Sequence, residues 1–157
     1  MNLNSLIADY FENKCEFDIS MTTVVRADGI VVYSSKDLRP KAASIGALVG
    51  GVWQAAEALN THSGVEEKVT DYRFSFDKAD SGIYILPVLI EGSSYYIATL
   101  YSDTFNPALL KRNFRLLKED IETFLSINKV TKTHLRKEFL FKNITDEEMD
   151  NLFAFGR

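Results

Sequence analysis

A single cysteine, Cys15, leaves the chain without an internal disulfide. That excludes the disulfide-stapled secreted scaffolds and predicts a reducing compartment, the cytoplasm. Basic excess is missing as well, since 18 Lys and Arg stand against 22 Asp and Glu, a formal net charge of −4. Reading phosphates needs clustered positive charge, so nucleic acid is not expected as a partner. No apolar run approaches the roughly 20 residues needed to cross a bilayer. The opening Met1-Asn2-Leu3-Asn4-Ser5 lacks the basic n-region of a signal peptide. Neither membrane insertion nor export is expected.

Chemistry-bearing patterns are also scarce. No G-x-x-x-x-G-K-[ST] loop is present to cradle nucleotide phosphates. His62 and His134 have no second His or Cys at metal-ligand spacing, so no metal and no cofactor is expected. Cys15 has no histidine partner nearby in sequence to activate it. Arg26, Arg39 and Arg73 could each reach into a partner as an arginine finger, although solvation is the simpler role for a surface arginine. Without a catalytic constellation, the expectation is a regulatory protein and not an enzyme.

What the chain does have is a globular composition, 46% apolar and 25% charged over 157 residues, enough for one ordinary domain. Leu3, Leu6, Ile7, Tyr10 and Phe11 recur at helical spacing and predict a helix over 2–13. Phe17, Ile19, Met21, Thr23 and Val25 alternate, which predicts a strand over 17–25. Asp28-Gly29 then separates that strand from Ile30-Val31-Val32-Tyr33, a hairpin signal because glycine accepts the positive φ of a tight turn.

Pro40 opens a segment predicted helical to about Leu59. At about 100° per residue, Ile45, Leu48, Val49, Val52, Trp53 and Leu59 fall on one side. Ala43, Gly46, Ala47, Gly50, Gly51, Ala55 and Ala58 fall on the other, and only Lys41 and Glu57 are charged. A helix with a wet outer face normally carries a polar stripe there. The small residues therefore face either a crowded loop or, as an uncharged ridge five turns long suggests, another helix.

Three further strands are expected: 69–76, with Tyr72, Phe74 and Phe76 on one face; 83–90, with an irregularity at Pro87; and 95–101. Asn106 as N-cap and Pro107 at the first helical position begin a last helix, carried by Leu110, Phe114, Leu117, Ile121 and Phe124. The expected fold class is α/β (α+β) in the order αββαβββα, an antiparallel five-stranded sheet with helices on its faces. Residues 1–128 make the domain, and 129–142 read as a basic linker with Lys129, Lys132, Arg136, Lys137 and Lys142.

The last stretch, 143–157, predicts a short acidic amphipathic helix. Thr145 and Glu148 form a capping box, and Ile144 and Met149 form a hydrophobic staple around it. Met149, Leu152 and Phe153 make one apolar stripe. About ten residues are too few to be helical alone in water, by the usual threshold of ~12–15. This helix is expected to form on a surface, either a partner's or its own domain's.

The element order, the Val-Val-Arg-Ala-Asp-Gly-Ile-Val-Val hairpin at 24–32 and the Ala-Ser-Ile-Gly-Ala at 43–47 resemble the roadblock/dynein-light-chain domain family over 1–128. The terminal stretch 144–153 is similar to the acidic end of the MglB-like members, bacterial regulators of a Ras-like GTPase of the MglA type. The resemblance implies a homodimer joined through the third strand, with Tyr72, Phe74 and Phe76 at the dimer edge. It implies a GTPase-facing surface on the paired second helices, at Ala43, Ala47, Gly50, Gly51 and Gln54. A terminal helix docking separately through Ile144, Met149, Leu152 and Phe153 is implied too. Such members stimulate GTP hydrolysis by rearranging the GTPase's own catalytic groups, and they control cell polarity or motility. A roadblock scaffold that binds partners without affecting hydrolysis is the alternative.

Overall fold

The computed structural model describes residues 2–64, 72–90, 92–103 and 106–141, with side chains as far as 128. In chain order the elements are α1 (Leu3–Asn13), β1 (Thr22–Arg26), β2 (Val31–Ser34), α2 (Ala42–Thr61), β3 (Phe74–Asp77), β4 (Gly82–Ile90), β5 (Ser93–Tyr101) and α3 (Pro107–Phe141). The chain divides into two units, Met1–Glu122 and Thr123–Arg157. All five strands, α1, α2 and α3 as far as Glu122 lie in the first. The described part of the second is the rest of α3.

Local chemistry explains where the helices start. Asn2 caps α1, its side chain accepting from the Ser5 N–H at 2.8 Å. Asn106 does the same for α3, accepting from the N–H groups of Ala108 at 3.1 Å and Leu109 at 3.4 Å, with Pro107 following at the first position. Residues 129–141, read from their charge as a linker, are helical and continue α3. Lys, Arg, Leu and Glu are good helix formers, and no Gly or Pro interrupts the stretch. The terminal helix expected over 143–157 lies outside the described residues.

The five strands form one antiparallel sheet in the order β2-β1-β5-β4-β3. β1 begins at Thr22, later than the expected residue 17. Asp18 accepts from the Ser20 N–H at 3.0 Å and Ile19 O accepts from the Thr22 N–H at 3.1 Å, so local turns take the backbone out of the ladder. β3 is also shorter than the expected 69–76, and residues 65–71 lie outside the described ones.

The irregularity expected at Pro87 falls elsewhere. β4 and β5 pair without a break from Gly82↔Tyr101 to Ile90↔Ser93, with Pro87 opposite Tyr96. Among the described residues β3 reaches only to Phe74, opposite Ile85. Past that point β4 has a described neighbour on one side alone, and a proline without an N–H is tolerated on such an edge. The register shift lies between β1 and β2, where Val24 faces Tyr33 but Val25 faces Val31. One extra residue, Val32, sits in the bulge. Tyr33 and Val31, two apart in sequence, are thereby turned to opposite faces of the sheet. Tyr33 stacks on Phe11 of α1 at 4.8 Å, and Val31 packs toward α2.

Helices cover both faces. On one, Val49 and Trp53 of α2 pack with Val25, Ile85, Tyr96 and Ala98, and Trp53 stacks on Tyr96 at 4.8 Å. Burying one such large side chain contributes about 1.5–3 kcal/mol. On the other face, Asn4 of α1 accepts from the Tyr95 hydroxyl at 3.2 Å. The Tyr10 hydroxyl of α1 donates to Asp120 of α3. No helix among the described residues is long and apolar enough to cross a membrane.

Candidate interaction surface

Two residues without side chains set how α2 sits. The β1–β2 turn closes with the Gly29 N–H donating to Arg26 O at 2.8 Å, and Gly29 has a φ of +83°, the left-handed region a side chain would strain. Arg26 pairs with Asp28 across the turn and holds its carboxyl at about 2, well below the usual carboxylate range, with the Ile30 N–H adding to the effect. α2 is pressed against this turn. A Cβ on Gly46 would lie 2.5 Å from Gly29 O and 2.6 Å from a Val31 methyl, and one on Gly50 would touch Gly29 at 3.6 Å. Glycine at 46 is what lets the helix approach so closely, while position 50, four residues on along the same side, meets the turn at ordinary contact distance.

This contact rotates α2 from the orientation expected of it. The inward face is Gly46, Val49, Gly50 and Trp53. Gly50, assigned above to the partner-facing ridge, is buried against the β1–β2 turn and does not belong to the exposed face. Leu48 and Leu59, placed above on the core side, are 68% and 73% exposed. They stand beside Ala43, Ala47, Gly51, Gln54, Ala55 and Ala58, all exposed. The outward face of α2 therefore carries no charge and includes two large aliphatic side chains. Sequence reasoning missed both leucines by taking bulk as a sign of burial. The available signal was Gly46 and Gly50 at a spacing of four, opposite a turn glycine.

β3 is one edge of the sheet, and its start lies near the second half of α2. Of its three singled-out residues, Tyr72 and Phe74 are partly buried against the α2-side core, while Phe76 is 59% exposed. A polar cluster secures the far end of the strand. The Tyr101 hydroxyl, Lys111 Nζ and Ser75 Oγ all donate to Asp77. Tyr101 reaches from β5 over β4 because Gly82, between them in register, has no side chain. Lys111 and then Ser75 hold the Asp77 carboxyl below its ordinary value.

The other candidates are dispersed. Cys15 is half-buried, its Sγ 3.9 Å from Phe17 O, and burial pushes its thiol up, away from the reactive thiolate. Arg26 is held by Asp28 and Arg39 lies 3.5 Å from Glu12. His62 is exposed just beyond α2. The His134 side chain and the terminal residues Ile144, Met149, Leu152 and Phe153 lie outside the described ones. No group of three or more potential metal ligands occurs among the described residues.

No protein-family model matches the chain, and no curated protein matches it by sequence. Solved structures do. MglB of Myxococcus xanthus is similar with a TM-score of 0.57 and 12% identity, over 78% of this chain and 86% of that one. A Roadblock/LC7 domain from Streptomyces avermitillis is similar with a TM-score of 0.46 and 15% identity, over 76% and 98% of the two chains. The fold is thus the roadblock type, MglB-like, and the expected order αββαβββα with a five-stranded antiparallel sheet is the one found.

Proposed function

We propose that this protein is a cytoplasmic, dimeric regulator of a small Ras-like GTPase of the MglA type, acting in bacterial cell polarity or motility. The observation that carries the reading is the outward face of α2, uncharged and bearing exposed Leu48 and Leu59, on an MglB-like fold. A contiguous apolar helix face of that kind is costly to leave in water and marks an interaction site. The outward faces of the two α2 helices come together in the dimer, and the paired helices present Ala43, Ala47, Gly51 and Gln54 together with the two leucines to the GTPase. The protomers join along β3, where Phe76 stands free at the sheet edge. The terminal stretch 143–157 is a separate docking element that uses Ile144, Met149, Leu152 and Phe153.

The face itself offers no arginine, since α2 contains neither Lys nor Arg. Stimulation of hydrolysis in this reading comes from repositioning the GTPase's own groups and not from an inserted finger. The test is single-turnover GTP hydrolysis by an MglA-type GTPase from the same genome, with and without this protein. Faster hydrolysis is the expected result. An unchanged rate in samples where complex formation is verified would refute the activating role and leave a scaffold.

A further inference from the structure

A recess of about 160 Å3 lies between the second half of α2 and the start of β3. Trp53 and Phe74 line it, Glu57 and Asn60 contribute from α2, and Tyr72 and Arg73 contribute from the chain entering β3. Glu57 is the one charged residue in α2. It is half-buried, and Arg73 is exposed. Among the described residues neither takes part in an ion pair or a side-chain hydrogen bond, although both line the same recess. An acid and a base lining one recess, with no ion pair between them, make a surface with no net sign. A partner of one charge would satisfy one of them and repel the other. A second copy of the same surface, turned by a two-fold axis, presents the same two groups in reversed order.

We infer that in the homodimer Glu57 of each protomer pairs with the partner subunit's Arg73, so that two reciprocal ion pairs set the register of self-association. This rests on the dimeric reading above and adds to it the residues that determine self-recognition. The need for such a device follows from the rest of the interface. Alanine, glycine and leucine along α2 give area but little directionality, and helices packed through them could slide by a turn. The recess adjoins both α2 and the β3 edge, so a charge pair there ties the two parts of the interface together. Ion pairs at the rim of an interface add little affinity, but juxtaposed like charges are strongly unfavourable, which makes the pair a selector of register and partner.

Charge reversal of the full chain tests this by sedimentation equilibrium. Glu57→Arg alone places two arginines opposite each other in every homodimer, and Arg73→Glu alone places two glutamates there. Each is expected to weaken dimerisation roughly tenfold or more. An equimolar mixture of the two single variants can form a heterodimer in which both pairs are complementary, and it is expected to dimerise nearly as well as the parent chain. The doubly reversed chain, E57R/R73E, is expected to do so as well. Arg73 is exposed and Glu57 only half-buried, and recovery on mixing shows that each single variant was folded. Single variants that dimerise as tightly as the parent would overturn the inference. Rescue by the double reversal without rescue on mixing would also overturn it, because the pair would then act within one protomer. A parent chain that stays monomeric at high concentration would instead refute the dimeric reading, and the inference with it.

Discussion

α2 and α3 cover opposite faces of one sheet with different chemistry. α2, twenty residues long, carries Glu57 as its one charged side chain. α3 carries Lys111, Arg112, Arg115, Lys118, Glu119, Asp120 and Glu122 over its stretch in the first unit, around the buried Phe114, Leu117 and Ile121. α3 has the apolar stripe and charged back of a helix built to face water. α2 buries one face of glycine, valine and tryptophan and leaves its other face bare of charge. The difference separates what holds this fold together from what it offers to other molecules. The inner face of α2 and the charged attachments of α3 stabilise the domain, while the outer face of α2 contributes almost nothing to an isolated protomer.

Substitutions along α2 separate the two roles of its faces. Trp53→Ala removes the 2%-exposed indole stacked on Tyr96 and should destabilise the fold by about 3–5 kcal/mol in chemical denaturation. A loss below 1 kcal/mol would mean that α2 is not a principal cover of the sheet. Gly46→Ala should cost less, about 1–3 kcal/mol, because its Cβ meets the Gly29 carbonyl and forces α2 off the turn. An unchanged or raised melting temperature would show that the turn yields freely.

On the α3 side the expected effect is smaller. Asp77→Asn weakens the bonds from Lys111 and Tyr101 and should cost about 1 kcal/mol at this partly exposed site. The sign with pH follows from the depressed carboxyl. Its contribution is complete above the unfolded carboxylate value and is lost as pH falls through the folded one. Acid titrations of stability should therefore be flatter for Asp77→Asn than for the parent, and coincident curves would count against the network. Last, Ala47→Arg on the outer face should change stability by less than about 0.5 kcal/mol. It should nonetheless abolish self-association in light scattering and partner binding with it. An unchanged mass together with unchanged binding would remove the outer face from any interface.

Much of this could be read from the chain itself. The Asp28-Gly29 turn, the Asn106-Pro107 helix start and the apolar stripes of α1 and α3 are local signals, each complete within a few residues, and each is found where expected. The readings that failed needed information from elsewhere in the fold. Residues 17–21 alternate like a strand but turn, because Asp18 and Ile19 find nearer hydrogen-bond partners. Pro87 pairs regularly because β3 stops short beside it, which nothing in 83–90 reveals. Leu48 and Leu59 look like core residues until the turn that rests on Gly46 and Gly50 is in place.

Local sequence thus dictates the order of elements, their turns and caps, and the single charge along α2. Those depend on backbone preferences and on residues a few positions apart. Which side of α2 faces inward, where the sheet bulges, and which acid and base share a recess were decided by the tertiary structure. They depend on how closely two backbones can approach, and that distance is set by residues far apart in the chain: Gly29 with Gly46, and Gly82 between Asp77 and Tyr101.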